Sequence, residues 1–506
     1  MSTGSICCIP SFLLPLLTPA LLPAQCDIER AKLLPPVNMP NASFGFDVAI
    51  SGTTAVVGAP YHASVATNNG TAHVYEPVNG VWQHRFQIQA PDAAAYDNFG
   101  RAVDIDGDTL VVGSPRSAGN GVRSGSIYVF ERVGAGWQFR QKLTDAPSTA
   151  QLGTSIALAG DTLVAGAPYS SNNQGAAYVY ERAQGVWQLR GVFGPTAFTS
   201  NAFYGASVAV GDGLIAIGAS NASVTASRSG MAWILERQGT VWQQTGYVYD
   251  PTGQAVDLFG DKISLFERTL AVGAPGAGTH GEVFAYGHDG VQFRPMDGGA
   301  GFGEPVDTGG AVALSANTLL TGDRSGWFHG TTTQSGTGNV KYWSLGRWRQ
   351  AAGAQPASSD QADNIGCAVD IEYHLGIVGA LGDDDRGADA GAAYVFEFPC
   401  GGYQLKPIEP AVAGQLNTID VERAIRPFSL VLVGTFEGWI PIPGWLPTQG
   451  LRIANFAILT TLHQPTNPAM TFDVPVPAAL QGFEVLVQAM ELDTQALSNL
   501  QRVRFQ

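Results

Sequence analysis

Hydrophobic and polar positions alternate with period two over short stretches of this chain, and glycine, proline, asparagine or aspartate punctuates them. That pattern predicts strands joined by tight turns, and the strands recur in a fixed unit. An apolar residue or threonine followed by glycine appears at Phe44-Gly45, Phe99-Gly100, Leu152-Gly153, Tyr204-Gly205, Phe259-Gly260, Thr308-Gly309 and Ile365-Gly366, with steps of 55, 53, 52, 55, 49 and 57 residues. Three and five positions after each glycine sit β-branched or leucine pairs, among them Val48/Ile50, Val103/Ile105 and Val369/Ile371. Thirteen positions after it comes a second glycine: Gly58, Gly113, Gly166, Gly218, Gly273, Gly322 and Gly379. All seven copies keep that spacing.

Each copy reads as four strands. The first carries the period-two pair, with small residues such as Ala49, Ala157, Ala209, Ser264 and Ala313 between the branched ones. The second is typified by Thr109-Leu-Val-Val112, the third by Gly175-Ala-Ala-Tyr-Val-Tyr180, and the fourth opens on an aromatic residue: Trp82, Trp137, Trp187, Trp242, Phe293 or Trp348. Repeats of roughly this length cannot bury a hydrophobic face alone, and radial stacking of four-stranded units removes the open edges. The expected fold is all-β: a seven-bladed β-propeller over residues 25–400. The seventh copy lacks a fourth strand after Tyr394-Val-Phe396. Residues 27–34 match the fourth-strand segment at Trp137 in their Arg, Lys-Leu and terminal proline, so the N-terminal strand is expected to close the ring. Residues 403–506 break the period; four or more short apolar runs between Pro and Gly turns predict a small β-sandwich there.

Composition narrows the function classes. The 506 residues are 45% hydrophobic and 14% charged, with 63 glycines and a net charge of −15. Glycine at that level suits turns and disfavours helices. The acidic balance argues against nucleic acid as a partner, which requires cationic patches. Phe12 to Ala24 is an apolar run too short to span a bilayer; it reads as the core of a signal peptide over residues 1–24, and no other segment suits a membrane. Secretion, to the medium or the cell surface, follows as an expectation, as does a monomer that can associate with the cell envelope.

The Phe-Gly starts and the Gly-Ala-Pro triplets at 58–60, 166–168 and 273–275 resemble FG-GAP repeats, known from the integrin α propeller and from many exported bacterial proteins. Gly218-Ala-Ser220, Gly322-Asp-Arg324 and Gly379-Ala-Leu381 depart from the triplet. The resemblance implies a non-catalytic extracellular protein. It also directs attention to Asp104-Ile-Asp-Gly-Asp108, where integrin-type repeats often hold calcium. Yet the Gly100-to-Gly113 spacing equals that of Gly45 to Gly58, leaving no inserted loop to wrap an ion, so a hairpin turn and no metal or cofactor are expected.

Candidate chemistry is sparse. The eight histidines never fall in HExxH spacing, and no serine stands in G-x-S-x-G. Asp383-Asp-Asp385 with Asp389 reads as a solvated loop ahead of an ion site. Trp327, Phe328 and His329 lie in the longest loop between second and third strands; they are candidate contacts for a ligand, or a cover for the sixth blade. Cys7 and Cys8 leave with the signal peptide. Of the three cysteines that remain, Cys367 follows the repeat glycine on an inner strand, while Cys26 and Cys400 are expected on neighbouring strands and to form a disulfide. The leading reading is a non-enzymatic binding or adhesion scaffold, its protein or glycan ligand held on the face of the 2–3 and 4–1 loops. A secreted polysaccharide-acting enzyme and a structural envelope protein are the alternatives.

Overall fold

A computed structural model describes residues 28–398, apart from internal segments of which 297–308, 323–337 and 355–362 are the longest, and strand segments beyond residue 403; for 338–354 and those strands it describes the backbone only. The fold is an all-β propeller with almost no helix. Six four-stranded antiparallel sheets follow one another along the chain, each in simple strand order. The first comprises Val48–Ser51, Thr54–Ala59, Thr71–Val78 and Val81–Ile88. The second comprises Ala102–Asp106, Thr109–Ser114, Ser126–Val133 and Gly136–Leu143. The third, fourth, fifth and sixth begin at Ser155, Ser207, Lys262 and Ala311.

One further sheet is composite. Ile365–Glu372, Leu375–Ala380 and Ala392–Glu397 supply its first three strands, and Ile28–Leu33 from the other end of the chain pairs antiparallel with the third, Ile28 opposite Glu397 and Leu33 opposite Ala393. Its polar contacts copy the second sheet. Lys32 lies opposite Tyr394 as Lys142 lies opposite Tyr128, and each ammonium sits over the ring, at 5.4 and 5.0 Å. Lys32 Nζ reaches Asp383 at 2.6 Å and Asp385 at 2.7 Å, and the Tyr394 hydroxyl donates to Asp383. Burial alone would lower the Lys32 pKa; the bonds to Asp383 and Asp385 outweigh it and hold the amine above the ordinary lysine range. The solvated loop expected at Asp383 is therefore corrected: its carboxylate is buried, because a lysine 351 positions away in sequence neutralises it.

Apolar side chains of the two middle strands fill the spaces between sheets. Val111, Ile127 and Val129 of the second sheet join Leu163, Ala165 and Tyr178 of the third in one buried cluster. The repeat glycines set how closely the sheets approach. A Cβ on Gly58 would stand 2.2 Å from the Gly100 carbonyl oxygen, one on Gly113 2.1 Å from that of Gly153, and one on Gly166 1.8 Å from that of Gly205. The series continues Gly218 to Gly260, Gly273 to Gly309, Gly322 to Gly366, and returns from Gly379 to Gly45. No side chain fits at these positions. On the opposite, hairpin face, a basic side chain of each of the second to fifth sheets reaches a glutamate of the sheet before: Arg132 to Glu76 at 2.6 Å, Arg182 to Glu131 at 3.5 Å, Arg237 to Glu181 at 3.1 Å and His288 to Glu236 at 3.2 Å.

Beyond residue 403 the described strands pair antiparallel, as Leu416–Glu422 does with Ala469–Pro475 and Phe428–Gly434 with Glu484–Glu491.

Gly113→Ala should cost about 1–3 kcal/mol or more, since the neighbouring carbonyl belongs to packed backbone that cannot move alone. Gly136→Ala, whose Cβ would meet nothing nearer than 3.9 Å, serves as the control and should be close to neutral. Equal melting temperatures for the two variants would refute the close-contact account.

Candidate functional site

The first strands of the sheets surround an axial channel of about 600 Å³. Their side chains alternate, and the positions two, four and six residues after each repeat glycine supply its polar groups: Asp47, Ser155 and Lys262 in one row, Asp104, Ser264 and Asp370 in the next, Asp106 and Glu372 in the third. Most of these groups join one sheet to the next. The amides of Val103, Leu158 and Ile50 donate to Asp47, Asp104 and Asp370 at 2.8, 2.6 and 2.8 Å, and that of Leu314 donates to Ser264 at 2.9 Å. Gly160 and Gly52 amides do the same for Asp106 and Glu372. Asp104 and Asp106 thus lie on a strand, and the turn expected over 104–108 is confined to Gly107 and Asp108. Among the described residues, no group of three or more His, Cys, Asp or Glu is arranged to hold a metal ion.

Asp47, Asp104 and Asp370 line the channel half-buried, each held by an amide of the neighbouring sheet. Burial therefore raises their proton affinity. For Asp370 the pKa is pushed up to about 7 by burial, moderated by the Ile50 and Ile371 amides and reinforced by the charges of Glu372 and Asp47. Asp104 rises well above the carboxylate range, first through burial and then through the charge of Asp370. Asp47 rises less freely, because Lys262 and the Val103 amide oppose the burial.

Toward the face of the 2–3 and 4–1 loops the channel opens between aromatic pairs. Phe46 and Tyr61 meet edge to face at 6.1 Å, and the Arg101 guanidinium lies 4.1 Å above the Phe46 ring. Tyr169 and Phe203 meet likewise at 5.4 Å. The two tyrosines stay 36% and 39% exposed, unusual for large rings beside a cavity and enough to present a face to a ligand. Tyr169 leads into the turn Ser170–Asn173, whose backbone is left-handed at Ser171 and Asn172. Trp327, Phe328 and His329, and the pair Cys26 and Cys400, lie outside the described residues. Cys367 is buried, its thiol donating to the Gly45 carbonyl.

The FG-GAP repeat family model matches residues 28–75, 82–130, 137–180 and 348–396. This is an FG-GAP repeat protein. Each match starts on or just inside a fourth strand and runs into the next sheet, so the match from residue 28 puts Ile28–Leu33 in a fourth-strand place. No curated protein matches the chain. Among solved structures, this FG-GAP protein is similar to the β-propeller domain of the trilobed protease from Pyrococcus furiosus (10% identity, 66% of this chain and 90% of that one, TM-score 0.39). It is also similar to Sqt1 from Chaetomium thermophilum (12%, 94% and 99%, 0.38) and to the acylaminoacyl peptidase of Pyrococcus horikoshii (10%, 76% and 59%, 0.41). Among the described residues, no helix is long and apolar enough to cross a membrane.

Because Asp370 binds its proton more tightly folded than unfolded, its stabilising contribution is complete below about pH 3.9, the free aspartate value, and is lost as pH rises toward about 7. Asp370→Asn should therefore gain on the wild type by at most about 4 kcal/mol between pH 4 and 7 and hold level above pH 8. Melting curves of the two proteins across that range measure it; a difference that stays flat, or shrinks with rising pH, would contradict the burial of this carboxylate.

Proposed function

We propose that this protein is a non-enzymatic, exported binding scaffold whose ligand, an extracellular protein or a glycan, seats over the axial mouth on the loop face. The observation that carries this reading is the pair of half-open aromatic contacts, Phe46/Tyr61 and Tyr169/Phe203, around one cavity. Rings held edge to face give rigid apolar area at little entropic cost, as binding hot spots require. The axial carboxylates already hold backbone amides of neighbouring sheets, which favours a structural over a catalytic role for them. In this reading Trp327, Phe328 and His329 extend the contact surface, residues 1–24 direct export, and residues 403–506 form a β-sandwich that serves attachment.

The composite sheet is the seventh blade of a closed ring in this reading. Support comes from the glycine contact that returns from Gly379 to Gly45 and from the pairing of Ile28 with Glu397. A Cys26–Cys400 disulfide would then seal the joint in the oxidising exterior. Peptide mapping of the exported protein without reductant should recover that pair; Cys367 bridged to either partner, or three free thiols, would overturn the seal.

Glycan and matrix-protein arrays test the binding reading. Tyr61→Ala, and separately Trp327→Ser with Phe328→Ser, should weaken whatever is captured by about tenfold or more while the melt stays near wild type. Capture that ignores these changes, or no capture on either array, would count against the mouth as a binding site.

A further inference from the structure

Three positions after the second repeat glycine, where each 2–3 loop begins, the copies carry different side chains. In chain order the column reads Tyr61, Arg116, Tyr169, Asn221, Gly276 and Gly382, the sixth copy's Ser325 lying outside the described residues. Its backbone has a fixed task. The amides of Tyr61, Arg116, Gly276 and Gly382 donate to the carbonyls of Ala42, Asp97, Asp257 and Asp363, each two residues before the first glycine's apolar neighbour. Glycine serves that bond as well as tyrosine does, so the fold leaves the side chain of this column to other work.

At Tyr61 and Tyr169 that side chain is a part-exposed ring, paired with a phenylalanine that lines the channel, Phe46 or Phe203. Asn221 lines the channel as well. Its Oδ1 accepts from Arg228 Nε at 3.2 Å, which leaves its two amide hydrogens as donors. The charges beside these groups carry both signs. Arg101 and Asp261 stand one position after the first glycine of their repeats, and Asp47 and Lys262 one row below. Deeper still lie Asp104, Asp106, Asp370 and Glu372, each bonded to a backbone amide, as Asp47 is.

Two positive and two negative groups at one mouth select against ions. A cation drawn by the deeper carboxylates must pass Arg101 and Lys262, and an anion must pass Asp47 and Asp261. Hydroxyl groups meet no such barrier, since each donates to a carboxylate and accepts from a guanidinium, ammonium or amide. Sugar rings combine such hydroxyls with apolar C–H faces that pack on aromatic rings. The shape of the site sets the direction of entry. A channel of about 600 Å³ has the volume of a small-ligand pocket, about 300–1,000 Å³, so it encloses the end of a chain rather than its side.

We propose that the mouth takes the end of a neutral glycan, its sugar faces on Tyr61 and Tyr169 and its hydroxyls among Arg101, Asn221 and Asp261. This rests on the binding reading above and chooses the class of ligand within it.

Saturation-transfer NMR and titration of the whole protein test the class, with four soluble neutral series (cello-, malto-, manno- and chito-oligosaccharides), hyaluronan fragments and oligolysine as probes. At least one neutral series should bind, with an affinity unchanged between about 50 and 500 mM salt, because screening acts on charges. Lengthening that sugar from about three to six units should tighten it by less than about threefold, since only the end is enclosed. Tyr169→Ala should weaken it by about tenfold or more, while Tyr169→Phe stays within about twofold, because the ring and not its hydroxyl makes the contact. Melting temperatures near wild type separate lost contact from lost fold; should Tyr169→Ala not fold, Asn221→Ala carries the same test with a loss of about threefold or more. Tighter binding of hyaluronan or oligolysine than of any neutral sugar, or a sugar affinity that ignores these variants, would overturn the proposal. Capture on a matrix-protein array that is lost in Tyr61→Ala, with no sugar bound, would keep the mouth as a binding site and overturn its glycan class. No binding by any sugar, polyion or protein would overturn both.

Discussion

The contact on which this molecule depends is backbone against backbone. At each junction between sheets the second glycine of one repeat lies against the carbonyl of the first glycine of the next, too close for any Cβ. Meanwhile the first glycine's amide donates to the second glycine's carbonyl within the same repeat, as Gly45 does to Gly58 and Gly100 to Gly113, both at 3.0 Å. Two glycines thirteen positions apart thus fix a strand pair and its approach to the neighbour together. This explains why the spacing is invariant while the loops beyond it vary.

Two further sets of contacts follow from that approach. At the axis, first strands come near enough for short polar side chains to take amides from the next sheet, which a wider ring would leave to water. On the hairpin face the Arg–Glu pairs span the widening gap, where partial exposure makes each pair worth little singly. The axial aspartates contribute differently. They satisfy amides but stand close together, so the ring concentrates negative charge along its channel and holds protons there that free carboxylates would release.

Much of this was legible in the repeats, since copies constrain one another. The strand order, the glycine pairs and the match of Lys32-Leu33 to Lys142-Leu143 all came from aligned copies, and the structure places each as that alignment requires. Asp370 was missed and Asp104 was read as part of a turn, although both occupy the column filled by Ala49, Ala157 and Ala209; reading that column across copies, instead of along one loop, would have put both at the axis. Asp383 was misread because an acidic run looks solvated when its cation comes from the far end of the chain. Aromatic pairs at the mouth were invisible along any one copy: Tyr169 and Phe203 belong to successive repeats, and only the ring brings them together.

If the sheets are locked to one another as described, they cannot open singly. Native-state hydrogen exchange of the Ile50, Val103, Leu158 and Leu314 amides, each bonded to a side chain of the preceding sheet, measures this most directly. The account predicts that all four exchange only through global unfolding, with one common free energy and one common denaturant dependence. Separate, lower opening energies at these amides, differing from sheet to sheet, would show independent blades and contradict it.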